Sequence, residues 1–124
     1  KAAGMPIRRS QVSTSFRAIV KEAASGGSEV WFSDKRLHLF AGNDAKVRAS
    51  EAAVMLNDFF DQMPALFEAR LEGNSLYGAR KLMFEIEPED AKAAGQPIEE
   101  LRAATLEAVR KAIYNIAYRT WDDR

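Results

Sequence analysis

The sequence predicts an α+β domain, a small three-stranded sheet packed with helices. Three observations lead there. Apolar residues recur at helical spacing in three long segments. The period changes to alternation in two short stretches, 29–40 and 80–87. The strands are few, and they do not alternate with helices in the manner of a parallel sheet.

Size and composition bound the answer. The chain has 124 residues, enough for one domain. Its apolar fraction is 47%, enough for one core. Eighteen Lys and Arg balance eighteen Asp and Glu, so the formal net charge is zero. That argues against a histone-like tail, a polybasic membrane anchor and an acidic disordered activator. There is no cysteine, hence no disulfide framework, thiolate metal site or cysteine nucleophile. The single histidine excludes any site needing two. No apolar run is long enough to span a bilayer, and no secretory signal is visible. Lys1–Gly4 reads as a leader left by expression, with Met5 as the natural start. Residues 5–124 then form a single domain, expected in the cytoplasm.

The first element is a helix over 10–25. Val12, Phe16, Ile19, Val20 and Ala23 fall on one face, and Ser25-Gly26-Gly27 ends it. A hairpin over 29–40 follows, turning at Asp34-Lys35 or across Ser33–Arg36. Either turn pairs Phe32 with Leu37 and Val30 with Leu39 on an apolar face. Trp31 with His38 and Ser33 with Arg36 then share the other face. A helix over 45–72 is carried by Ala45, Ala49, Ala52, Leu56, Phe59 and Met63. Pro64 kinks or breaks it. Gly73–Gly78 is a connecting loop. Leu82, Phe84 and Ile86 alternate with Lys81, Met83, Glu85 and Glu87 and make the third strand, 80–87, in the same sheet. Pro88 and Gly95 bracket a short helical turn over 89–94. Pro97 opens the last helix, 97–120, with Leu101, Thr105, Val109, Ile113 and Ile116 as its spine. No internal repeat is evident.

Five features bear on function. The hairpin's outer face gathers Trp31, Arg36, His38 and Phe40, a set suited to stacking bases. The plainer reading covers that face with a helix. Arg8, Arg9, Arg17, Lys21, Lys35 and Arg36 form a basic strip suited to phosphates. Glu85, Glu87, Glu89 and Asp90 offer oxygen ligands, but in no recognised metal-binding spacing, so they read as a solvated strand face. No GxSxG elbow or phosphate-binding loop accompanies His38, and no carboxylate is placed to orient it. The last helix carries Tyr114, Tyr118 and Trp121, residue types enriched at interfaces.

These features favour a non-enzymatic binding or assembly module of unknown protein partner, homodimeric through a sheet edge or the last helix, with no cofactor, metal or membrane. Tyr114, Tyr118 and Trp121 are its expected interface residues. The alternative is a small nucleic-acid-binding protein using Arg8, Arg9, Arg17, Lys21, Trp31, Lys35, Arg36 and His38. A small enzyme using His38 ranks third.

Overall fold

The computed structural model describes residues 17–24 and 26–122, with side chains to residue 117. The class is α+β, as the alternating periods predict, but the strands form two antiparallel sheets rather than one. Strands β1 (Ala18–Glu22), β2 (Ser28–Phe32) and β3 (Lys35–Phe40) make the first. Helix α1 (Ala45–Asp61) follows. A 3-10 turn (Leu66–Glu68) leads into β4 (Ala69–Glu72), β5 (Ser75–Gly78) and β6 (Lys81–Glu85), the second sheet. Helices α2 (Pro88–Ala94) and α3 (Ile98–Asp122) complete the chain.

Four expectations need correcting. The helix over 10–25 is a strand wherever it is described in regular structure, and residues 10–16 lie outside the described part. Ile19 and Val20 are β-branched and pair with Trp31 and Val30 across the sheet. Asn57 of α1 clamps the start of the strand, accepting from the Ala18 N–H at 2.6 Å and donating to its carbonyl at 3.0 Å. The helix over 45–72 stops at Asp61. Met63 takes a left-handed φ of 53°, and Pro64 has no N–H to continue the ladder. Residues 69–72 are then captured as a strand by β5. The segment 73–78 is therefore a tight turn and a strand, not a loop. Finally, the third strand, expected at 80–87, pairs with β5 and not with the 29–40 hairpin.

The hairpin register also differs. A two-residue turn at Ser33-Asp34, with Ser33 at φ 59°, pairs Phe32 with Lys35 and Trp31 with Arg36. A bulge then leaves Leu37 unopposed, and Val30 pairs with His38. One extra residue turns His38 from the Trp31 face to the Val30 face, which is core.

The two sheets belong to a repeat that the sequence hides. Each half is three antiparallel strands followed by a helix. The β5–β6 turn, Ala79-Arg80, matches Ser33-Asp34, and Ala79 has φ 56°. The second bulge falls between Leu76 and Tyr77, the positions of Val30 and Trp31. Asn57 ties α1 to Ala18, and Arg110 ties α3 to the Ala69 carbonyl at 2.8 and 3.1 Å. The buried stripe Ala52, Leu56, Phe59, Phe60 of α1 recurs as Thr105, Val109, Ala112, Ile113 of α3. The second half differs by an insertion, the seven-residue α2.

The halves interlock. Helix α1 packs on β1 and β2 of its own sheet and on β6 of the other. Helix α3 packs on β4 and reaches across to β3. One core results, with Leu56, Leu76, Val30, Val109 and Phe40 fully buried. Each such side chain contributes ~1.5–3 kcal/mol of burial. Where the halves cross, His38, Phe40 and Phe84 meet with ring centroids 4.7–5.2 Å apart. No helix among the described residues is long and apolar enough to cross a membrane.

Candidate functional site

Three arrangements could carry function: a buried polar cluster, two outer sheet faces, and one face of α3.

The buried cluster is centred on Asp90, whose side chain is wholly inaccessible. Asp90 is the third residue of α2. Its carboxylate accepts the Glu87 N–H at 3.1 Å, while the Glu87 side chain caps the Asp90 backbone, a reciprocal capping box. The same carboxylate accepts two bonds from Arg48 of α1, at 2.8 and 3.0 Å, and one from the Ala41 N–H at 2.8 Å. His38 completes the set, with Nε2 3.0 Å from Oδ2 of Asp90 and Nδ1 3.0 Å from the Thr105 hydroxyl. An ionised carboxylate only accepts, so Nε2 carries the proton and Nδ1 accepts from Thr105. Arg48 also donates from its two terminal nitrogens to the carbonyls of Ala41 and Glu85.

Burial and bonding set the charges. Burial pushes the His38 pKa down, against the pull of Asp90, so the ring is neutral. Burial alone would raise Asp90. The bonds from His38, Arg48 and two backbone N–H groups outweigh it and hold the carboxyl well below the usual range. Asp90 likewise raises the Arg48 pKa against its own desolvation. The cluster is thus one ion pair with a neutral imidazole attached. Both imidazole nitrogens are occupied and the His38 side chain is fully enclosed. Substrate has no path to it, so the geometry gives acid–base chemistry at His38 no support. Its role is to fasten β3 to α2 and α3.

This arrangement corrects three sequence readings, the first being that no carboxylate is placed to orient His38, since Asp90 lies 3.0 Å from its Nε2. His38 does not share a face with Trp31, because the bulge inverts it. Asp90 is not on a solvated acidic face with Glu85 and Glu89, because α2 turns it inward. No group of carboxylates and histidines among the described residues is placed to hold a metal ion. Arg48 and Thr105 had no signal as members of a site. Their partners are 42 and 67 residues away.

The outer face of the first sheet holds three of the remaining predicted residues, Lys21, Trp31 and Arg36. Trp31 is half-buried, with its indole N–H donating to Glu29 at 2.9 Å and Lys21 4.3 Å from its ring centroid. Arg36 binds the other Glu29 oxygen at 3.0 Å. The bond from Trp31, with the Arg36 and Lys21 charges, lowers the Glu29 pKa. Lys35 is exposed at the hairpin end. Arg17 is exposed and lies 4.0 Å from Asp61. Arg8 and Arg9 lie outside the described residues. Phe40 is fully buried on the core side. The second sheet repeats the motif with residues the sequence reading passed over: Arg70 lies 5.0 Å from the centroid of Tyr77, the counterpart of Trp31.

The third arrangement is a face of α3. Leu66, Ala103, Leu106 and Tyr114 line an apolar groove of about 460 Å³, with Glu107, Arg110 and Lys111 along it. Phe67, next to Leu66, is 75% exposed. Tyr114 corresponds to Asp61, the end of α1, yet α3 runs on to Asp122. Tyr118 and Trp121 ride on that extension, where side-chain positions lie outside the described part.

Comparison with known proteins adds no relative: no family model, no curated protein and no solved structure matches the chain.

Proposed function

We propose that the chain is a non-enzymatic binding and assembly module that pairs with a second copy of itself through α3. The observation that carries this is the apolar groove beside the exposed Phe67, on the helix whose extension has no counterpart in the first half. An exposed ring next to an apolar groove is a self-complementary pattern under a two-fold axis. The charges fit as well. Glu107 and Lys111 lie one turn apart on this face, 3.6 Å from each other. Antiparallel pairing of two α3 helices about the level of Val109 sets Glu107 of one copy beside Lys111 of the other.

Sedimentation across a concentration series tests the reading. The expected mass is two chains for the wild type and one chain for Phe67→Ser combined with Leu106→Glu, with unchanged circular dichroism. A wild-type mass of one chain at every concentration overturns it.

A second reading, single-stranded nucleic-acid binding, draws support from the repeated cation–aromatic pairs, Lys21 with Trp31 and Arg70 with Tyr77. Stacking on such rings contributes ~1–3 kcal/mol per base. Anisotropy of a labelled single-stranded oligonucleotide at two salt concentrations tests it. Binding that weakens with salt, and is lost in Trp31→Ala with Tyr77→Ala, is the expected result. Absence of binding at low salt removes this reading.

A further inference from the structure

The repeat exposes one place where the halves are packed differently. Between α1 and the β5–β6 turn lies a pocket of about 280 Å³, floored by Met55, Phe59, Gly78 and Met83. Its counterpart in the first half lies between α3 and the β2–β3 turn, floored by Ala108, Ala112, Phe32 and Leu37. That counterpart is closed, with about 10 Å³. Phe32 there corresponds to Gly78 here. A buried phenyl ring that packs edge-on against Phe60, at 5.1 Å between centroids, is replaced by hydrogen. Phe59 and Met83 close in on the glycine, where an added Cβ would meet each at 2.8 Å, but the space above them stays open.

The charges at the mouth are rearranged rather than changed in sum: Lys35 and Lys111 line the closed site and Asp34 stands in its turn, whereas Lys81, Arg80 and Asp58 line the open one. Arg80 takes the position of Asp34. Lys81 stands beside Arg80. Both are exposed, and neither has an ion-pair partner among the described residues. Asp58 is the one carboxylate on the rim, so the mouth carries a net positive charge.

We propose that this pocket is a binding site for a small planar ring bearing an anionic group, an aromatic acid. The ring follows from the floor. Two thioethers and a phenyl face make favourable contacts with an aromatic guest, and the volume, near the lower end of ligand pockets, suits one or two fused rings. The anion follows from Arg80, which forks toward a carboxylate, with Lys81 beside it. The site shares no lining residue with the α3 groove, so it stands apart from the dimer reading.

Amide and methyl NMR with indole-3-acetate as the probe tests this. Saturable shifts are expected at Gly78, Ala79, Lys81 and the Met55 methyl. Neutral indole binds the same residues about fivefold more weakly, the scale of one partly screened charge pair. Arg80→Glu with Lys81→Glu, both on exposed side chains, removes the preference for the acid and leaves indole binding in place. Absence of shifts in the pocket up to the solubility limit overturns the site. Equal affinity for indole and its acid overturns the anionic assignment.

Discussion

Replacing Asp90 by Asn keeps the shape of the side chain and removes its charge. The carboxylate accepts five hydrogen bonds, two of them from Arg48, in a fully enclosed position. The amide can accept at only one end, and its NH₂ faces other donors. Arg48, 13% exposed, is left without its main counter-charge. Breaking a buried ion pair from one side costs ~3–5 kcal/mol. At ~0.05–0.15 kcal/mol per residue, a domain of this size has roughly 6–19 kcal/mol in total. The variant should therefore lose between a sixth and most of its stability, with a fall in Tm of roughly 10–20 °C. Urea unfolding followed by circular dichroism measures it, with Glu89→Gln, exposed on the same helix, as the control expected within ~0.5 kcal/mol of wild type. Arg48→Met with Asp90→Asn should cost less than the two single changes together. A loss below ~1 kcal/mol for Asp90→Asn would show that the cluster is not held by charge, and the reasoning would fail.

Acid should act on the same cluster in two stages. The folded-state pKa values of His38 and Asp90 both lie below their ordinary values of 6.5 and 3.8. The unfolded chain then binds more protons, and stability falls as pH falls, first below about 6.5 and again below about 3.8. His38 is the only histidine, so the first step should vanish in His38→Phe, and a Tm unchanged between pH 7 and pH 5 in the wild type would contradict the assignment. The two matched turns hold non-glycine residues at φ 59° and 56°. Ser33→Gly and Ala79→Gly should each raise the stability read from urea unfolding by up to ~1 kcal/mol, and a loss at either position would break the equivalence of the turns. Gly27→Ala should lower the stability read from the same assay by ~1–3 kcal/mol, because its Cβ would overlap the Phe40 carbonyl oxygen, a backbone atom with little room to yield. Wild-type stability in that variant would mean that the β1–β2 turn shifts freely.

The elements legible in the sequence are those whose signal is local. The helix over 97–120 is found as Ile98–Asp122, the turn over 89–94 as Pro88–Ala94, and the strand centred on Phe84 as Lys81–Glu85. The misread elements share a cause. Ile19 and Val20 fit a helical stripe and a strand equally well, and pairing with β2 decides between them. Residues 69–72 continue the apolar pattern of α1, and only β5 makes them a strand. The hairpin was legible as a hairpin, but its register was not, because one bulge decides which face His38 takes. The candidate surfaces follow the same rule. Trp31, Lys21 and Arg36 stand together because strand alternation is local, while Arg48, Asp90 and Thr105 meet His38 only through the interlocking of the halves.

That interlocking also explains why a histidine can be buried here. His38 and Phe84 occupy the same position of the two bulged hairpins, and Thr105 and Ala52 the same position of the two helices. At one crossing the facing pair is apolar, and at the other it is polar. The difference between them is α2, the insertion present only in the second half. It brings Asp90 to the polar crossing tethered by its own capping box, so the carboxylate is held by bonds that do not involve His38. Arg48 then neutralises the carboxylate from α1. Without α2, an imidazole in the place of Phe84 would have neither partner, and its burial would carry the cost of unsatisfied polar atoms. The polar residues at one crossing and the apolar residues at the other are thus each matched to whether a helix cap is at hand. The asymmetry lets β3, α1 and α2 bond through a single carboxylate, with α3 joined to it through Thr105 and His38, a connection that the apolar crossing does not make.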